Sequence, residues 1–86
     1  MKITLDLRSI QSPADAQAYL QRALAFPDYY GKNLDALYDM LTSWDVPAAF
    51  ALRLPKQGPL AEYAQRLRRV FTDAAAANPR IQVAER

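Results

Sequence analysis

The sequence predicts an α/β fold: a small three-stranded parallel sheet packed with three to four helices, in one domain spanning residues 1–86. Segments with apolar residues at every second position, or in an unbroken run, alternate with segments whose apolar residues recur every three to four. Strands separated by helices need crossover connections, and crossovers make neighbouring strands parallel. A chain of 86 residues has room for one core, which withdraws only about 60–65% of the unfolded surface from water.

Residues 2–8 alternate, with Ile3, Leu5 and Leu7 on one side and Lys2, Thr4, Asp6 and Arg8 on the other. That period of two is a half-buried strand. Ser12-Pro13-Ala14-Asp15 then supplies an N-cap, a proline at the first helical position and a carboxylate three residues after the cap. Ala16, Tyr19, Leu20, Ala23 and Leu24 follow at helical spacing, and Pro27 predicts a stop near Phe26.

Beyond Gly31, Asn33 can cap a second helix with apolar positions at Leu34, Leu37, Met40, Leu41 and Trp44. Residues 48–54 are apolar almost throughout, which predicts a central strand covered on both faces. A breaker-rich link from Pro55 to Pro59 leads into a long helix marked by Leu60, Tyr63, Ala64, Leu67, Val70, Phe71 and Ala74. Gln65 is where that helix would bend or split. Asn78-Pro79 closes it, and Ile81 and Val83 mark a short last strand.

Composition removes whole classes of chemistry. The chain is 51% hydrophobic and 23% charged, an ordinary folded profile. It has no cysteine, which excludes disulfides, thiolate metal sites and cysteine nucleophiles. It has no histidine, which excludes imidazole acid–base chemistry and the usual zinc sites. No apolar run reaches membrane-span length and no cleavage signal opens the chain. The expectation is a cytoplasmic protein with no membrane contact, no cofactor and no enzymatic activity.

The net charge of +2 conceals a division. Residues 28–45 hold Asp28, Asp35, Asp39 and Asp45 against Lys32 alone, a local sum of −3, while the rest carries +5. In the second helix, Leu34, Leu37, Met40, Leu41 and Trp44 define one side. Asp35, Asp39 and Thr42 fall opposite, with Tyr38 at the margin. Asp35 and Asp39 are like charges one turn apart, a pair that costs an isolated helix about 0.2–0.5 kcal/mol. Asp35 regains some of this from the helix dipole near the N-terminus; Asp39 does not.

A solvated helical face would account for two aspartates. The approach loop, Pro27-Asp28-Tyr29-Tyr30-Gly31-Lys32-Asn33, favours a binding face instead, because aromatic groups beside carboxylates are typical of interface anchors. The same residues admit plainer roles, with Gly31 as a turn residue and Tyr30 in the core.

The run from Leu24 to Trp44 resembles the barstar family, intracellular inhibitors of barnase-type ribonucleases. Its core is Tyr29-Tyr30-Gly31-Lys32-Asn33-Leu34-Asp35-Ala36-Leu37-Tyr38-Asp39, gap-free and about a quarter of the chain with its flanks. The resemblance implies a small parallel sheet with helices around it, and a protein that plugs a nuclease active site. Residue by residue, it implies that Asp39 enters a phosphate pocket, Asp35 faces basic groups at its edge and Tyr29 stacks on the catalytic region. It implies close loop contacts from Gly31 and Asn33, packing and hydrogen bonding by Tyr38 and Thr42 around Asp39, and support of the helix rim by Trp44. The carboxylate that follows Val-Phe in the family falls on Asp73. The implied partner is a basic extracellular-type ribonuclease or nuclease toxin in a one-to-one complex, with the free inhibitor monomeric.

Physically, a ribonuclease must hold a phosphodiester anion with cationic groups, so its empty cleft is positive. A carboxylate on a rigid helix imitates that phosphate through short charge-assisted bonds. The chain departs from the family in its net positive charge, in Lys32 where an acidic residue is common, in Tyr38 for tryptophan and in Asp45 for an apolar residue; these imply a differently tuned target.

Two other readings use the same residues. An acidic-face interaction module could bind a basic partner that is not a nuclease. Arg66, Arg68 and Arg69 could track an RNA backbone, although their spacing around Leu67, Val70 and Phe71 makes them the solvated flank of a core helix. A metal at Asp35 and Asp39 lacks a third ligand recognisable in the sequence.

Overall fold

In the computed structural model, which describes residues 1–86, six elements follow one another: β1 (Lys2–Asp6), α1 (Pro13–Ala23), α2 (Leu34–Thr42), β2 (Ala48–Arg53), α3 (Ala61–Ala77) and β3 (Ile81–Glu85). The sheet is parallel with strand order β1-β2-β3, so the most apolar strand is central, as its composition predicts. Leu5, Phe50, Leu52 and Ile81 enter one core with Ala16 and Leu20 of α1, Leu37 and Leu41 of α2, and Ala64, Leu67 and Phe71 of α3. Phe50 sits between the edges of Trp44 and Phe71, with ring centroids 5.4 and 5.6 Å away. Each of these large buried side chains contributes about 1.5–3 kcal/mol by leaving water.

The expectation of cover on both faces of β2 needs correction. All the helices pack against the Phe50 side. On the other side Ala49 pairs with Lys2 and Gln82, and Ala51 pairs with Thr4 and Ala84. Those four neighbours are exposed, yet Ala51 is buried and lies outside the main core. An alanine low between two flanking strands needs no helix above it. Apolar composition therefore reported central position in the sheet rather than a second helical layer.

Helix boundaries also moved. Ser12 Oγ accepts the Asp15 N–H at 3.1 Å, the expected cap of α1. The helix ends at Ala23, short of Phe26. Ala25 adopts a left-handed backbone with φ 54°. The Phe26 N–H reaches Gln21 O at 3.0 Å and the Ala25 N–H reaches Arg22 O at 3.3 Å. That is a Schellman ending with alanine where glycine is usual. Pro27 limited how far the helix could run; the reversal before it set the end. At the other terminus of the chain α3 is an unbroken helix of 17 residues, with no split at Gln65.

A side chain in the left-handed region costs about 1–2 kcal/mol, against about 0.5–1 kcal/mol for glycine's extra unfolded entropy. Ala25→Gly is therefore expected to stabilise the fold by about 0.5–1 kcal/mol, seen as a rise of about 3–6 °C in Tm by calorimetry.

Candidate functional site

The acidic helix is built from its cap outward. Asn33 Oδ1 accepts the Ala36 N–H at 2.7 Å, and Asn33 Nδ2 donates to Gly31 O at 3.3 Å. Leu37 and Leu41 are fully buried, while Leu34, Met40 and Trp44 pack half-buried against the core. This orientation leaves Asp35 and Asp39 exposed on the outer side, with Tyr38 exposed at the margin. Neither carboxylate has an ion-pair partner; the ion pairs are Arg8–Asp6, Arg66–Glu62 and Arg68–Glu85. The like-charged pair is uncompensated within the molecule.

The two adjacent tyrosines part company. Tyr29 is 85% exposed and Tyr30 only 5% exposed. Tyr30 packs on Phe26 with ring centroids 4.7 Å apart and donates its hydroxyl to Gln17 Oε1. Gln17 Nε2 in turn donates to Tyr63 Oη at 2.8 Å, so one buried amide ties the loop to α1 and α3. Burial pushes the Tyr30 hydroxyl up to about 12, with a further push from Tyr63. The left-handed turn residue of the loop is Lys32, with φ 55°, rather than Gly31. Gly31 instead eases a close approach: a Cβ there would lie 3.2 Å from Ala36 Cβ and 3.4 Å from Asn33 Nδ2.

The far end of α2 is held from a distance. Asn78, buried at the end of α3, donates through Nδ2 to Leu41 O and Trp44 O, each at 2.9 Å. It supplies orphan carbonyls at the helix terminus with a donor. Thr42 Oγ1 donates to the backbone oxygens of Tyr38 and Asp39 at 2.9 and 3.2 Å, and not to the Asp39 carboxylate. Trp44 turns inward onto Phe50, and its indole N–H is buried without an acceptor.

Asp73 comes to the site from α3. It shares with Asp35 an open groove of about 520 Å³ between α2 and α3. Arg66, Arg68 and Arg69 are exposed, the solvated flank expected of this helix, and with Glu62 they line the same groove as Asp35. Asn33, Asp35 and Lys32 border a second hollow beside Tyr63. Asp35 thus borders both hollows, with Asp73 in one and Asn33 in the other; Gly31 lines neither, and Asp39 stands one turn along from Asp35. Tyr29 makes no hydrogen bond to this group. No set of three acidic side chains is arranged to hold a metal ion.

Sequence reasoning missed Gln17 and Asn78, the only buried polar residues. A signal existed for Gln17, which lies three before Leu20 and seven before Leu24 on the apolar stripe of α1. Asn78 beside Pro79 reads as a helix stop and gives no hint of its second task.

With this geometry in view, residues 1–84 match the family described as Barstar (barnase inhibitor). The chain belongs to the barstar family. A Bacillus subtilis (strain 168) protein provisionally named a ribonuclease inhibitor, YrdF, is 45% identical over 53 residues. That stretch is 60% of this chain and spans only 58% of the relative's length. No helix of this barstar-family chain is long and apolar enough to cross a membrane.

Two measurements test the framework. A tyrosine whose pKa is raised in the fold keeps its proton while the unfolded chain loses one near pH 10. Its stabilising share is complete below pH 10 and is lost as the pH rises toward 12. Tyr30→Phe is expected to flatten the fall of urea-unfolding stability across that window; equal slopes would assign the titration elsewhere. Asn78→Ala strips the donor from two carbonyls at the end of α2 and is expected to destabilise by about 2–4 kcal/mol in the same assay.

Proposed function

We propose that this barstar-family chain inhibits a ribonuclease by inserting Asp39 into the enzyme's phosphate-binding pocket, with Asp35 and Asp73 against neighbouring cationic groups. The observation that supports it best is that Asp35 and Asp39 are exposed and unpaired on a helix whose buried side is fully committed to the core. A helix optimised for stability alone would offset such charges with a cation one turn away. The family description and the relative's name both point to the same activity.

The remaining residues supply the rest of the contact surface. Tyr29 presents an aromatic ring, a frequent anchor in interfaces. Gly31 and Asn33 let the loop approach closely, Tyr38 and Thr42 flank Asp39, and Trp44 supports the rim from below. A rigid helix loses little freedom on docking, which leaves more of the contact energy as affinity. The partner is a basic extracellular-type ribonuclease or nuclease toxin, bound one-to-one by a monomeric inhibitor in the cytoplasm, where it would give immunity to the nuclease's producer. The chain performs no chemistry of its own.

RNA as the direct ligand fits poorly. A phosphate backbone running along Arg66 and Arg69 would also lie against Asp35 and Asp73 in the same groove.

Asp39→Ala leaves the enzyme's buried cations without a partner, a loss of about 3–5 kcal/mol for a desolvated pair, or at least a hundredfold in Kd. The fold is expected to be intact or more stable by up to about 1 kcal/mol, since a repulsion is removed and alanine favours helix. Calorimetry and an RNA-cleavage assay with barnase read both effects. Undiminished binding and inhibition by the variant would refute the proposal.

A further inference from the structure

Resting on the inhibitor reading, we infer that Arg66 and Arg69 determine specificity: they select a nuclease with a carboxylate on the rim of its phosphate pocket and turn away one whose rim is basic throughout. Six charged groups, the carboxylates of Asp35, Glu62 and Asp73 and the guanidinium groups of Arg66, Arg68 and Arg69, line one open groove of about 520 Å³. Within that lining the one ion pair is Arg66–Glu62, and neither Asp35 nor Asp73 is paired with a cation. Arg66 makes only an exposed contact of 3.2 Å with Glu62, one turn back on its own helix. Arg68 is engaged with Gln65 at 3.1 Å and Glu85 at 3.7 Å. The Arg69 guanidinium has no ion-pair or hydrogen-bond partner in the protein. The groove therefore offers hydrated charges of both signs to whatever docks over it.

That arrangement fixes the partner's chemistry by complementarity. A cationic pocket would take the carboxylates of α2. The same rigid docking brings the partner's rim over Arg66 and Arg69, because Asp35 and these arginines share walls of one groove. A rim cation set over Arg69, the one guanidinium of the groove without a partner, would meet like charge within the Debye length of about 8 Å, where screening is weak. A carboxylate there would accept paired bonds from the planar guanidinium, which an ammonium could not supply with the same geometry. Like-charge contact at an interface rejects wrong partners more effectively than it strengthens right ones. The chain thus carries both an attractive element on α2 and a repulsive one on α3.

The test uses barnase and a set of barnase variants in which each arginine or lysine around its active-site cleft is replaced in turn by glutamate. These are titrated against the native chain, Arg69→Glu, the neutral Arg69→Gln and Asp39→Ala. At least one rim replacement is expected to tighten binding to the native chain by tenfold or more and to loosen binding to Arg69→Glu, with Arg69→Gln between them. Equal responses of native chain and Arg69→Glu to every replacement would overturn the inference, as would the absence of binding between the native chain and every barnase form. Asp39→Ala keeps the two ideas separable. If it binds as well as the native chain, the inhibitor reading fails; if it alone loses binding while Arg69 shows no coupling, only the role of the arginines fails.

Discussion

Two buried carboxamides hold the acidic helix at its two ends, and the usefulness of every exposed group on it depends on them. Gln17 joins Tyr30 to Tyr63 beneath the approach loop, and Asn78 joins the end of α3 to the last carbonyls of α2. Alone, α2 is a helix of nine residues, well below the length at which helices persist in water. Its order comes from Leu37 and Leu41 in the core, from the Asn33 cap and from these two long-range attachments. The bonds are made in a low-dielectric interior, where a lost partner leaves a polar group with neither protein nor water. They act as positional constraints more than as a source of net stability.

That frame lets the surface above it remain poorly optimised for folding. Asp35 and Asp39 repel one another without a compensating cation, and no basic residue occupies the last turn of α2. Lys32 holds a left-handed backbone that glycine would adopt without strain, and the glycine stands one residue earlier, where a Cβ would be tight against Ala36. Each feature is unfavourable by itself and intelligible as part of a contact surface. The cost is carried by the Phe50-centred core, in which α2 and α3 pack against each other and against the sheet.

The amount that could be read from the sequence follows the range of the interactions concerned. The alternation of β1, the capped start of α1, the apolar stripe of α2 and the central place of β2 are local patterns present in the structure, although β1 stops at Asp6 rather than running to residue 8 and α2 ends at Thr42, leaving Trp44 beyond the helix. The end of α1 depended on a reversal at Ala25, a residue with no propensity for one, so Pro27 gave only an outer limit. The second face of β2 was misread because an apolar run cannot distinguish a covering helix from burial between neighbouring strands. Gln17 and Asn78 have partners up to 46 and 37 residues away, and nothing in a linear pattern identifies such partners. The acidic face was visible because residues one turn apart share a side; the arrival of Arg66, Arg69 and Asp73 across from Asp35 required the packing of two helices.

The charge distribution then takes on a different meaning from the net charge. A sequence pI of about 9.2 would ordinarily argue against a basic partner. At about 0.15 M salt, however, charges separated by more than about 8 Å hardly sense one another. Asp35 and Asp39, with Cβ atoms about 5–6 Å apart by helix geometry, reinforce each other inside that radius, while Arg66, Arg68 and Arg69 reach Asp35 only across the groove. On the proposed reading, long-range attraction to a positive nuclease would be weak for such a molecule, so recognition would be decided after encounter, at contact distance. A scaffold that fixes the backbone of both helices, and so the sides from which its anions and cations project, is suited to that kind of discrimination; a flexible acidic segment would rearrange around either kind of rim and distinguish neither.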